Sequence, residues 1–237
     1  MAPAIALCIM KQNNARMDLS FFKQLFPHAL SGIPEELIKR IQYIPPDHHL
    51  LFIANAAHET AMFTKMEESL NYSAARLLKV FPNRIKTLED AQRIYASGRV
   101  AIADAIYGGR LGNKRGTNDG YNYIGRGLLQ LTGRENYRAY AQSYAPDNQR
   151  IRTAIIKSPQ ILTLDPVYSV GSAIWYWNTR VVPKLIIAMQ KAGAAGIRSA
   201  AAVIAARKAV AGGVQGLNEV TTIYAQLQEA RAAGWIS

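Results

Sequence analysis

The segment from His48 to Tyr72 constrains the fold of this chain more than any other. His48 to Phe63 carries Leu50, Leu51, Ile53, Ala54 and Ala57 at helical spacing, which predicts a buried helix whose last turn bears Glu59. Nine residues further on stands Glu68, directly after Glu67. On one unbroken helix, nine steps of about 100° make roughly two and a half turns, so Glu59 and Glu68 would face opposite sides. They can flank one bond only if the helix stops between them and the chain folds back. Glu67 and Glu68 are adjacent, so an extended segment can aim only one of them at a given side. Two carboxylates across a cleft are the minimal machinery of a glycosidase.

The environments of the two acids decide their use. A carboxyl on the apolar side of a buried helix has its charged form disfavoured, which keeps a general acid protonated near neutral pH. That is the expectation for Glu59, while an open loop leaves Glu68 solvated and ionised. The plainer alternatives are a Glu59 exposed at its helix end and a Glu67-Glu68 pair on a solvated face. His58-Glu59 also begins like a zinc-binding HExxH helix, but position 62 is Met, so no metal site is expected. The plain reading of His58 is a helix residue that bonds its neighbours and positions a loop.

At 237 residues the chain is long enough for one large domain or two small ones. A hydrophobic content of 49% against 19% charged residues describes a packed globule. The single cysteine, Cys8, excludes an internal disulfide framework. No apolar run approaches the ~20 residues needed to span a bilayer. Met1 to Met10 is apolar but has no Lys or Arg before it, so residues 1–16 are expected to be an extension and not an export signal. Residues 17–237 are expected to form one catalytic domain without a separate wall-binding module. The net charge of +12 is uneven: no Asp or Glu occurs from Pro166 to Asn218, where Arg180, Lys184, Lys191, Arg198, Arg207 and Lys208 all fall. Such a field attracts polyanions of any kind, whether nucleic acid, acidic lipid or an anionic cell wall.

Most of the chain reads as short helices. They are expected over Met17 to Phe26, Pro34 to Tyr43, Ser69 to Phe81, Thr87 to Ala96, Ala101 to Tyr107, Asn136 to Tyr144, a stretch after Asp165-Pro166, and Asn218 to Ala232. Val181 to Val210 reads as mostly helical, with the cations at 184, 191 and 198 on one stripe. Gly108 to Gly127 differs: seven glycines in twenty residues, with Asn113, Asn118, Asp119 and Asn122, are loop chemistry. Within it Tyr121, Tyr123 and Ile124 alternate as a short strand would. A long ordered loop of this kind is usually functional. Gln130 and Thr132 share one face of an extended piece, suited either to a water and a sugar hydroxyl or to their own backbone. Trp175 and Trp177 read as core.

Taken together, His58-Glu59-Thr60, Glu68-Ser69-Leu70-Asn71-Tyr72-Ser73, Tyr107-Gly108-Gly109-Arg110, Asp119-Gly120-Tyr121, Gly125-Arg126-Gly127 and Gln130-Leu131-Thr132-Gly133-Arg134 with Asn136-Tyr137 resemble glycoside hydrolase family 19. Within it, the bacteriophage and prophage endolysins are more similar than the plant chitinases. The resemblance spans residues 18 to 232 and is densest over 58 to 137. It implies a mainly helical, lysozyme-like bilobal α+β domain with a small β-hairpin element and a central cleft. It implies an inverting mechanism with Glu59 as general acid, Glu68 as base and Thr132 helping to hold the attacking water. His58, Tyr72, Tyr123, Arg126, Gln130, Asn136 and Tyr137 match substrate-binding positions. No cofactor is implied.

Near the C-terminus the chain departs from the family pattern. Ala211 precedes Gly212-Gly213 where the family often has Asn, and Val220 stands where an Arg is expected. No C-terminal residue is therefore assigned a role. The resulting expectation is an endolysin that hydrolyses β-1,4 bonds of peptidoglycan glycan strands as a monomer. It would be made in the host cytoplasm and reach the wall through a holin or a secretion machine. Its basic C-terminal third would meet lipopolysaccharide or acidic lipid, with nucleic acid no physiological partner. The alternatives are a chitinase, a cationic membrane-active protein acting through residues 181–210, and a lytic transglycosylase.

Overall fold

The computed structural model describes residues 18–191, 196 and 199–233. The expected extension over 1–16 therefore lies outside the described residues. The chain is mainly helical, as the resemblance implies. Helix α1 (Leu19–Leu25) starts at Asp18, whose carboxylate accepts from the Ser20 and Phe21 amides, a cap of the kind worth about 1 kcal/mol. Helix α2 (Ile33–Arg40) runs into a 3₁₀ turn over Ile41–Tyr43. Helix α3 (His49–Glu59) is the central rod: Leu50 to Ala57 are all buried.

The other helices sort into three apolar clusters. Around α3 gather α1, α2, α11 (Pro166–Tyr176), α12 (Val182–Lys191), α13 (Ala200–Ala211) and α14 (Leu217–Ala232). A second, smaller cluster joins α4 (Ala74–Val80), α5 (Leu88–Ala96) and α6 (Gly98–Tyr107) with Leu70 and Ile124. The third packs Tyr123 and Leu131 against α8 (Arg134–Tyr144), α9 (Gln149–Lys157) and α10 (Ile161–Leu164). The chain segments 66–70 and 124–132 run between these clusters, where the cleft opens.

Three expectations change in the structure. Residues 121–124 are not a strand: α7 (Asp119–Asn122) is a single helical turn, closed by the Asn122 and Tyr123 amides on the Asn118 and Asp119 carbonyls. That turn sends Tyr123 into the third cluster and Ile124 into the second, so two apolar faces arise without a strand. The β-hairpin element is reduced to two isolated antiparallel bridges, Glu67 with Arg126 and Arg126 with Leu131. The 181–210 segment is not one helix. A π-helical turn over Trp177–Val181 leads into α12, and α13 begins anew at Ser199, whose hydroxyl accepts from the Ala202 amide. Lys184 and Lys191 lie on α12, while Arg198 is outside the described residues. Helices α9 and α10 are not anticipated either, although α9 carries Ile151 and Ile155 at helical spacing behind an Asn148 cap.

Candidate active site

The cleft is built by a forced stop of α3. Thr60 is buried, and its hydroxyl donates back to the Ala56 carbonyl, closing the last turn. The same hydroxyl oxygen accepts from the Phe63 amide, and the Thr60 carbonyl accepts from Thr64 and Lys65. Between them Ala61, Met62 and Phe63 are all left-handed, with φ of 48°, 60° and 64°. Each such residue costs about 1–2 kcal/mol when it carries a Cβ. Burial of the Phe63 ring against Phe22 and Phe26, at centroid distances of 5.2 and 4.8 Å, offsets the strain. This turn reverses the chain so that Glu59 and Glu68 face one space.

That space is a cleft of about 440 Å³, lined by His58, Glu59, Lys65, Glu67, Glu68, Tyr107, Gln130 and Thr132 among others. Glu68 sits on a short extended piece whose amide donates to the Gly125 carbonyl at 2.9 Å. Its carboxylate accepts from the Gly125 amide at 2.9 Å and from the Tyr107 hydroxyl at 2.6 Å. A side chain at 125 would have its Cβ 3.0 Å from Gln130 Oε1 and 3.3 Å from Thr132 Oγ1. Gln130, Thr132 and the Glu68 carboxylate thus converge on the same glycine. The Thr132 hydroxyl donates to the Gln130 carbonyl at 2.8 Å, leaving its lone pairs for a further donor.

The electrostatic settings differ from those expected. Glu59 does not face bare apolar surface: its carboxylate is paired with the Arg207 guanidinium, which is only 4% exposed and whose Nε donates to the Gln215 carbonyl. Glu68 is not openly solvated either. Burial raises its carboxyl above the ordinary value, and the bonds from Tyr107 and Gly125 oppose that only in part. The reason is packing: the 66–68 piece lies in the seam between lobes, beneath Tyr107, and not on an exposed loop.

Of the remaining expected substrate contacts, His58 and Gln130 do line the cleft. The His58 ring packs against Gly216, where any Cβ would collide with it. Tyr72 stands nearby, half-buried against Phe81 at 5.4 Å. Tyr123, Arg126 and Tyr137 are buried beneath the floor and have no surface for a sugar to touch. The Tyr123 hydroxyl donates to Ile156, and that of Tyr137 to Ile124. Arg126 bonds Glu67 Oε2 at 2.8 Å, the Asn122 carbonyl at 2.6 Å and the Tyr137 hydroxyl at 3.4 Å. Asn136 stands one layer behind, donating to the Thr132 carbonyl at 2.8 Å. These four hold the site from below. Sequence reading missed Arg207, Tyr107 and Lys65. A lone signal pointed to Arg207: a guanidinium set among Val203, Ala206 and Ala209 on an apolar helix needs a buried acid. Among the described residues no three His, Cys, Asp or Glu gather as metal ligands would.

Comparison with known proteins gives the family of the chain. Residues 99–228 match the family 19 glycoside hydrolase profile described as chitinase class I. A glycosyl hydrolase family 19 domain-containing protein of Haemophilus influenzae is 31% identical over 161 residues, covering 66% of this chain and 76% of that protein. Endochitinase 4 of Solanum tuberosum is 37% identical over 65 residues, and the match spans 27% of this chain and 19% of that enzyme. The crystal structure of chitinase C from Streptomyces griseus HUT6037 superposes with a TM-score of 0.51 at 17% identity, covering 93% of this chain and 94% of that one. The chain is a glycoside hydrolase and belongs to family 19.

Proposed function

We propose that the protein is an endolysin that cleaves the β-1,4 glycan of bacterial peptidoglycan with inversion, using Glu59 and Glu68. One observation carries the reading: carboxylates from the end of α3 and from the 66–68 piece line one cleft, and Glu68, Gln130 and Thr132 converge on Gly125. A water accepted between Glu68 and Thr132 would attack the anomeric carbon as Glu68 takes its proton. Glu59 would give a proton to the departing oxygen from the opposite side. Inversion needs room for that water, with carboxyls roughly 6.5–9.5 Å apart. A base is most effective with its pKa near the working pH, and burial moves Glu68 that way. Arg207 orients Glu59 and must yield it when the glycan fills the cleft.

The endolysin role draws its support from charge. A chain of +12 whose residues 166–218 carry no acid is suited to an anionic envelope, lipopolysaccharide or acidic lipid. In this reading residues 17–237 act as one catalytic domain and as a monomer. The enzyme is made in the host cytoplasm and released to the wall by a holin or a secretion machine. A second reading, hydrolysis of chitin, is favoured by the similarity to a plant endochitinase and to chitinase C.

Digestion of purified sacculi and of N-acetylglucosamine oligomers, with mass spectrometry of the products, separates these readings. Peptidoglycan hydrolysis predicts reducing-end muropeptides, lost by at least a thousandfold in Glu59→Gln. Full lytic activity in a folded Glu59→Gln variant would overturn the assignment. Anhydro-muramic ends would select a lytic transglycosylase, and release from oligomers alone would select a chitinase.

A further inference from the structure

Lys65 is the cleft group that the two-carboxylate chemistry leaves without work. It stands exposed on the wall of the cleft that both acids line, placed there by the left-handed turn of Ala61, Met62 and Phe63. Three successive left-handed residues with side chains are rare, and strain of this kind collects where a side chain must be aimed. The turn is pinned from both sides, by Thr60 and by the buried Phe63 ring, and the Lys65 amide donates to the Thr60 carbonyl, so the point at which its side chain leaves the wall is fixed.

Every carboxylate lining the cleft is already engaged. Glu59 is paired with Arg207. Glu67 is paired with Arg126 at 2.8 Å and with Arg99 at 3.3 Å. Glu68 accepts from Tyr107 and from the Gly125 amide. Among the described residues no ion pair engages the Lys65 ammonium, so the cleft wall offers one cation with three donors to whatever binds there. A polymer of N-acetylglucosamine carries no charge to meet it. The glycan of peptidoglycan does: its lactyl ethers end either in a free carboxylate or in a stem peptide that bears carboxylates.

We propose that Lys65 is a specificity-determining residue whose ammonium receives a carboxylate carried on the substituents of the glycan, favouring peptidoglycan strands over neutral amino-sugar polymers. This rests on the peptidoglycan reading above and adds to it the group that tells the two polymers apart. The contact lies at a solvated wall, so it contributes to binding more than to the chemical step, and salt screens it.

The test compares wild type, Lys65→Met and Lys65→Arg on three substrates. These are purified sacculi, glycan strands stripped of their peptides, and stripped strands whose lactyl carboxylates have been amidated. Lys65→Met is expected to raise the apparent KM on a charged substrate about three- to tenfold more than on the amidated strands, with kcat little altered. It should also flatten the rise of KM with ionic strength, and Lys65→Arg should restore both. A penalty on stripped strands identifies the lactyl carboxylate as the ligand, whereas a penalty on sacculi alone identifies the stem peptide. Equal penalties on charged and amidated substrates, or none on any, would overturn the role of Lys65 while leaving the peptidoglycan reading intact. A wild type that digests neither sacculi nor stripped strands would instead overturn the peptidoglycan reading and this inference with it.

Discussion

Among single residues, Glu68 is the one whose surroundings bear most on the chemistry. Burial lifts its carboxyl, while Tyr107 and Gly125 favour its ionised form. A base must be unprotonated to act, so kcat/KM should fall as pH drops through that raised value, placing the acid limb above the ordinary carboxylate range. Tyr107→Phe removes a bond to the charged form, and the limb should move further towards neutral pH, a shift read from a pH–rate profile. Stability has the opposite sense. A glutamate raised on folding holds its proton more tightly in the folded state, so its ionised form at neutral pH is destabilising and stability is gained as pH falls through the raised value. Glu68→Gln should therefore abolish hydrolysis yet raise Tm by about 1–3 °C at neutral pH. A lowered Tm by calorimetry would show that the carboxylate is better accommodated than its burial implies. The sequence made Glu59 visible, because a carboxylate at the end of an apolar helix stands out, whereas the resemblance to family 19 is what assigns the base to Glu68. Neither disclosed Arg207, 148 positions away from Glu59 and reached only through α13 packing on α3.

Among the elements, the turn after α3 does most to shape the cleft. Its strain is held by Phe63 between Phe22 and Phe26, so Phe63→Ala should cost about 3–5 kcal/mol in denaturant unfolding. It should also lower kcat in the protein that stays folded, because the lobes lose the reversal that faces Glu59 towards Glu68. A substitution that lowered stability without touching kcat would separate the turn from the site. Gly216 offers a finer test: it is left-handed at φ 72° and abuts His58, so Gly216→Ala should displace the ring and raise KM. Helix periodicity made α1 to α6, α8, α11 and α14 legible, with Asp18, Thr87 and Asp165 capping as their types suggest. It failed where local spacing has two solutions. Tyr121, Tyr123 and Ile124 fit a strand, but Asp119 ties to Lys114 and Arg134 and closes a helical turn instead. Likewise the resemblance implies sugar contacts at Tyr123 and Tyr137, and nothing local distinguishes a tyrosine under the floor of a cleft, where both lie, from one on its wall.

For the whole molecule, the acid-free stretch from Pro166 to Asn218 makes the envelope reading testable apart from catalysis. Helix α12 exposes Ile186 and Ile187 at 51% and 53% beside Lys184 and Lys191. A Lys184→Glu/Lys191→Glu variant should co-sediment several-fold less with anionic vesicles at low salt while cleaving soluble glycan fragments as before. Undiminished sedimentation would remove that surface from the account. If Glu59 and Glu68 hydrolyse one bond with a water held between substrate and Glu68, the anomeric form of the first product records it. Proton NMR during the opening minutes of digestion of a soluble β-1,4 glycan should show the α-anomer appearing first and the β-anomer following by mutarotation. A β-anomer at the outset would mean retention, and the water between the two carboxylates would have no place in the mechanism.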